Sequence, residues 1–277
     1  MTDILIPASG DFDAWPARHA TCIAVDWDGT CKDTMVPKWT RGFNLAVGDV
    51  WPALAPHQEA VDEVCYRVNI VDPATAGIQR FVALKVMMGL WRDMGLPVPD
   101  LSRFFRAVER VEARGETHGA ETYRALQAEF GYDESPLKWS DLSDRHIAEA
   151  SRSARVFEHV EATLEAVAAK ADLVVVSASK TDAVRQDLLD HGMAPLFQAL
   201  CAQDFLPKPG ILGGLVKKYA RVVFLGDTQH DVRAAAPHGV PVYLIRTGDE
   251  DTSWADAGAV LKRFIAGDPC RDALIYP

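Results

Sequence analysis

The chain predicts an α/β fold, an open parallel sheet into which an all-helical domain is inserted. Three observations carry that expectation. Short valine-rich runs, Cys22-Ile-Ala-Val25, Leu173-Val-Val-Val176 and Arg221-Val-Val-Phe-Leu225, lack polar alternation, as strands buried on both faces do. From Leu173 onward, strand and helix patterns alternate quickly, the βαβ rhythm of a parallel sheet. Between the first run and the second lie nearly 150 residues with helical patterns and no convincing strand.

Taken in order, the first strand ends at Asp26. The interval that follows holds helical patterns at His57–Arg67, Ala76–Met94, Leu101–Ala113 and Glu121–Phe130. Turn signals separate them: Asp72-Pro73, Gly95 with Pro97 and Pro99, Arg114-Gly115 and Gly131. Helix is then expected over Val160–Ala171, strand over Leu173–Val176, helix over Thr181–His191 with Asp182, Asp187 and Asp190 on polar faces, and a short strand near Ala199–Ala202. Gly210–Tyr219 reads as helix, Arg221–Leu225 as strand, Val232–His238 as helix and Pro241–Ile245 as the last strand. The domains are thus residues 1–33 with 154–277, and 34–153.

Composition narrows the function classes. The chain has 277 residues, 48% hydrophobic and 25% charged, as ordinary globular proteins do. Its 29 Lys+Arg against 39 Asp+Glu give a net charge of −10. Without basic runs, that argues against nucleic acid and anionic membrane as partners. A small phosphorylated substrate stays open, because a bound divalent cation inverts local charge. The five cysteines are odd in number, widely spaced and free of CxxC pairs, which favours reduced thiols in a cytoplasmic protein. Met1 to Trp15 does not resemble a signal peptide, and no apolar run approaches membrane-spanning length.

Each clear strand stops at a polar group suited to phosphoryl transfer. The first runs into Asp26-Trp-Asp28-Gly-Thr30, the second into Ser177, the third into Gly226-Asp227-Thr-Gln-His-Asp231. Ligands of open parallel sheets bind beyond the carboxyl ends of the strands, so these residues converge. Asp26 and Asp28, two apart in extended chain, point the same way. One can attack phosphorus; the other can protonate the leaving oxygen and later deprotonate water. Gly29 lets the chain turn close to the phosphate. Alone, the DxDG string equally suits a turn or a calcium loop, but the following Thr-Cys-Lys-Asp-Thr lacks an EF-hand's further ligands.

Ser177, with the backbone N–H groups that follow it at Ala178 and a helix N-terminus, can hold phosphate oxygens, or else cap that helix, a task Ser179 and Thr181 perform equally well. Lys208, between prolines, is either solvated or catalytic. Four carboxylates at one crevice call for a cation, and oxygen-only donors suit Mg²⁺. His230 reads as a surface or supporting residue.

Together Asp26-Trp-Asp28-Gly-Thr30, Ser177, Lys208 and Gly226-Asp227…Asp231 resemble the four ordered motifs of the haloacid dehalogenase superfamily, over residues 20–33 and 154–250. The resemblance implies a Rossmann-like core and a helical cap inserted after the first motif. It implies Asp26 as nucleophile, Asp28 as general acid/base, and Thr30, Ser177, Ala178 and Lys208 on the phosphoryl group. It implies Mg²⁺ held by Asp26, Asp227 and the Asp28 carbonyl, with Asp231 orienting the cluster and Thr30 and Asp33 in the loop after the nucleophile. Lys208 precedes Asp227 by only about 20 residues, so Lys217 and Lys218 stay open as the lysine.

Asp28 points to phosphate esters, since dehalogenases lack this acid and phosphonatases replace it. Hydrolysis of a small phosphorylated metabolite is the first expectation. The alternatives are a phosphosugar mutase resembling β-phosphoglucomutase, on the strength of Ser177-Ala-Ser-Lys180, a phosphonatase-like C–P hydrolase, and a non-catalytic binding protein on the same fold. A receiver-type phospho-acceptor would need neither the cap nor the second acid. A homodimer stays open. In the cap, Lys85 falls beside Ile78, Phe81, Val82 and Gly89 on an apolar helix. It either snorkels to water or meets the substrate's anionic end.

Overall fold

The structure, a computed structural model, describes residues 3–72, 74–76, 78–116 and 118–277. The chain divides into two compact units, Met1–Asp33 with Arg155–Pro277, and Thr34–Ala154. In chain order, strand β1 (Thr21–Val25) is followed, among the described residues, by seven α-helices of the second unit. These are α1 (Met35–Lys38), α2 (Asn44–Val50), α3 (Gln58–Tyr66), α4 (Arg80–Asp93), α5 (Ser102–Arg114), α6 (Ala120–Phe130) and α7 (Ser135–Arg152). The first unit resumes with α8 (Val160–Ala168), β2 (Asp172–Val176), α9 (Thr181–Asp190), β3 (Ala199–Cys201), α10 (Lys208–Lys218), β4 (Arg221–Gly226), α11 (Gln229–Ala235), β5 (Val242–Leu244) and α12 (Glu250–Ile265).

The five strands form one parallel sheet in the order β3-β2-β1-β4-β5. Alternate side chains supply its two faces. Ile23, Val25, Leu173, Val175, Val223 and Leu225 pack with residues of α8, α9 and α12. Cys22, Ala24, Val174, Val176 and Phe224 pack against α10 and α11. Both faces are therefore apolar, which is why the runs read without alternation. Each fully buried valine or leucine contributes about 1.5–3 kcal/mol. The sheet's edges are occupied by the chain's ends: Leu5 O accepts from Leu200 N, and Val242 pairs with Ile275.

The helical unit has its own core, rich in aromatic rings. Trp39 stacks on Phe43 with centroids 4.0 Å apart, and Phe81 meets Tyr123 edge-on at 4.6 Å. Helix α4 starts at Arg80 because the Gln79 side chain accepts from the Phe81 and Val82 N–H groups. That is later than the expected Ala76. Of the expected features, Pro73 in the Asp72-Pro73 turn and Gly77 within Ala76–Met94 lie outside the described residues. Gly115 and Gly131 end α5 and α6 in the left-handed conformation (φ 63° and 64°), which costs glycine little. Helices α1, α2, α7 and α12 were not anticipated. Among the described residues no helix is long and apolar enough to cross a membrane. All five cysteines are buried free thiols.

Candidate active site

The three central strands deliver the site. Asp26 follows β1, Ser177 follows β2 and Asp227 follows β4, and β1 lies between β2 and β4 in parallel register, with Val25 opposite both Val175 and Leu225. Asp26 N continues the ladder by donating to Leu225 O at 2.9 Å. Residues some 150–200 positions apart in sequence thus emerge side by side at the carboxyl edge of the sheet.

Lys208 ties the acids together. Its Nζ lies 2.9 Å from Asp26 Oδ2 and 2.6 Å from Asp231 Oδ1, and all three side chains are nearly buried. Lys208 opens α10, whereas Lys217 and Lys218 stand in that helix's last turn, Lys217 exposed and Lys218 with its Nζ over the Trp15 ring. The structure brings Lys208 to the acids and leaves the other two away from them.

Asp231 is fully committed. Its Oδ1 is on Lys208, while Oδ2 accepts from Asp227 N (3.3 Å), Thr228 N (3.1 Å) and Thr228 Oγ1 (2.9 Å). The Thr228 N contact, with Asp231 N donating in return to Thr228 Oγ1 at 3.4 Å, forms a capping box at the start of α11. Gly226 makes room for it, since a Cβ there would sit 2.6 Å from Asp231 Cβ. Thr30, expected at the phosphate, is fully buried and donates its hydroxyl to Asp227 Oδ1 at 3.0 Å. With its hydroxyl taken by that carboxylate, its place here is as a support for Asp227.

Asp28 lies two residues past Asp26, partly exposed, and Ser179 Oγ donates to its Oδ2. Ser177 is buried and its Oγ accepts Ser179 N at 3.1 Å, while Ala178 is exposed. His230 is exposed on the first turn of α11. Asp33 N donates to Arg155 O at 2.9 Å. Lys85 pairs with Glu109 on α5 at 2.6 Å, with 38% of its side chain accessible. The pair lies within the helical unit, between α4 and α5.

Burial dominates the electrostatics. It pushes Asp26 up to about 7, with Lys208 opposing and Asp231 and Asp28 reinforcing. Burial, then the charges of Asp231 and Asp26, lift Asp227 well above the usual carboxylate range. For Asp231 burial acts upward too, but Lys208 and the Thr228 hydrogen bonds outweigh it and hold the group low. Burial acts against the Lys208 ammonium, yet the two carboxylates hold it above its ordinary range.

A divalent cation fits this donor set. Carboxylate oxygens of Asp26, Asp227 and Asp231 lie within 4.8 Å of one another, and one ammonium faces three acids. Since Asp231 is saturated, Asp26 and Asp227 are the carboxylates with an oxygen left to offer. An all-oxygen set suits Mg²⁺.

Two supporting residues escaped the sequence reading. Ser179 holds Asp28, and Trp254 of α12 donates its indole N–H to Thr30 O at 2.7 Å. The apolar spacing Trp254, Ala257, Val260, Leu261, Phe264 carries a helical period from which α12 was available.

A parallel sheet with acids at its central strand ends and a helical unit inserted after the first strand defines a Rossmann-like α/β scaffold. The family model of haloacid dehalogenase-like hydrolases matches residues 20–239, and the chain belongs to that family. Among solved structures, a haloacid dehalogenase-like family hydrolase from Xanthomonas campestris is similar at 14% identity and TM-score 0.51, covering 95% of this chain and 98% of that one. A haloacid dehalogenase-like hydrolase from Bacteroides fragilis is similar at 14% identity and TM-score 0.50, covering 85% and 93%. A predicted phosphoglycolate phosphatase from Haemophilus somnus 129pt shares 20% identity at TM-score 0.46, covering 80% and 83%. No curated protein matches the sequence.

Proposed function

We propose that this hydrolase cleaves a small phosphomonoester with Mg²⁺, through a phosphoryl group carried on Asp26. The observation that carries the reading is the pairing of Asp26, held at 2.9 Å by Lys208, with a second acid two residues on that is more exposed and differently bonded. Two carboxylates in unlike environments suit two roles.

An Asp26 oxygen attacks phosphorus and the ester P–O bond breaks. Asp28, protonated, gives its proton to the leaving oxygen. Asp28, now ionised, takes a proton from water as that water attacks the phosphoryl group, releasing inorganic phosphate and restoring Asp26. Lys208 keeps the Asp26 carboxylate aligned between these steps, and Ser177 with the Ala178 N–H would hold the phosphoryl oxygens. Mg²⁺, held by Asp26, Asp227 and the Asp28 carbonyl, would offset the charge gathered on the phosphoryl oxygens. Thr30 and Asp231 keep the two sides of that pocket in place. The five buried free thiols suit a reducing cytoplasm.

The test is turnover of 4-nitrophenyl phosphate with Mg²⁺, with EDTA, and by Asp26→Asn. We expect turnover with Mg²⁺, none with EDTA, and a loss of several orders of magnitude in the variant, as for other deleted nucleophiles. Near wild-type turnover by Asp26→Asn overturns the assignment. A panel of phosphorylated metabolites then identifies the substrate.

A further inference from the structure

One buried cation of the first unit has no part in the chemistry above. Lys32 has 1% of its side chain accessible, and its Nζ lies 2.6 Å from Asp187 Oδ1 on α9. The other oxygen of that carboxylate, Oδ2, accepts from the indole N–H of Trp27 at 3.2 Å. Trp27 is itself fully buried.

Trp27 and Lys32 are the two ends of one tight loop. Cys31 N and Lys32 N both donate to Trp27 O, at 2.9 and 3.1 Å, and Gly29 N donates back to Lys32 O at 2.9 Å. Gly29 turns the chain at φ 75°. Asp28 and Thr30 ride on this loop, one residue to either side of the turn. Asp187 therefore grips both feet of the loop that carries the second acid. It does so from the helix that begins at Thr181, directly after the Ser177–Lys180 segment.

Stability alone gives little reason for such a pair. Desolvating an ammonium and a carboxylate consumes most of their attraction, and apolar residues of similar volume often replace buried pairs without loss. What the carboxylate fork supplies is direction: two hydrogen bonds from one rigid group fix the loop in rotation as well as in height. We propose that Lys32 and Asp187 are positioning residues, which hold the Trp27–Lys32 loop so that Asp28 meets first the leaving oxygen and then water. The proposal rests on the reading of Asp28 as general acid/base.

Its test uses the full chain with 4-nitrophenyl phosphate and Mg²⁺, comparing wild type with the double variant Lys32→Met/Asp187→Leu and with the near-isosteric Asp187→Asn. The double variant removes both charges of the Lys32–Asp187 pair together. We expect its kcat to fall about tenfold or more, as small misplacements of a catalytic group do, with KM changed less than threefold and a melting temperature close to wild type. Intact-mass spectrometry during turnover should show phosphoenzyme accumulating, because water activation has slowed. Asp187→Asn offers one acceptor oxygen to two donors, the Lys32 ammonium and the Trp27 indole N–H, so one contact is lost and kcat should fall in the same direction, about threefold or more. A folded double variant with wild-type kcat and no phosphoenzyme overturns the proposal. Should the double variant fail to fold, an unchanged kcat in Asp187→Asn overturns it. A wild-type protein that turns over no phosphate ester removes the functional reading and this role with it. Active wild type with unaffected variants removes the role alone.

Discussion

Replacing Lys208 with methionine takes away the ammonium that Asp26 and Asp231 share while keeping the length of its stem. The contacts are 2.9 and 2.6 Å, and each corresponds to about 6 kcal/mol of attraction at an effective dielectric of about 20. Burying the three charges offsets most of this. Deleting one partner of such a cluster leaves the net cost at about 3–5 kcal/mol. The pH dependence separates charge from packing. Asp231 is held low by Lys208, so in wild type its contribution is present above the unfolded value near 3.9 and is lost as pH falls below it. Without Lys208, Asp26 and Asp231 both titrate higher in the folded state. The folded variant then binds protons that the unfolded chain has released, and its stability falls as pH rises from about 4. The destabilisation should be at least ~1 kcal/mol larger at pH 8 than at pH 5. Urea unfolding of both proteins, metal-free, at the two pH values measures it. An equal loss at both would mean that Lys208 contributes packing alone, and the electrostatic account of the cluster would be wrong.

Three further outcomes are expected. Asp28→Asn should slow the second half-reaction most on an aryl phosphate, whose leaving group needs little protonation, and so accumulate a species about 80 Da heavier, the mass of HPO₃ on a covalent nucleophile; aryl phosphate hydrolysis at the wild-type rate would contradict the role. In the metal-free protein Asp26 keeps its proton up to about pH 7, above its unfolded value, so stability from this group declines as pH climbs from about 4 to about 7. Mg²⁺ competes with that proton, and the rise in melting temperature on adding Mg²⁺ should be larger at pH 8 than at pH 5.5, with equal shifts refuting the linkage. Gly226→Ala would place a Cβ 2.6 Å from Asp231 Cβ; a cost of about 1–3 kcal/mol together with loss of turnover is expected, and a fully active variant of unchanged melting temperature would show that the backbone yields there.

The five strands were legible because a strand buried on both faces writes its burial into consecutive residues. Cys22–Val25 and Leu173–Val176 could read as little else. The positions of Asp26, Ser177 and Asp227 were legible for the same reason, since the first two stand one residue and the third two residues beyond such a run and the parallel sheet aligns those ends. Helices α7 and α12 were overlooked although their apolar spacing was present; the first residue of α4 depended on a Gln79 side chain reaching the Phe81 and Val82 N–H groups. The partners of the charged groups belonged to the tertiary structure alone. That Lys208 and not Lys217 or Lys218 meets Asp26, that Thr30 supports Asp227, and that Lys85 is answered by Glu109 follow from side chains brought together across 24 to 197 positions of chain. Periodicity records which face of an element is apolar, whereas a hydrogen bond depends on where another element places its acceptor to within a few tenths of an ångström, and only the packed core sets that distance.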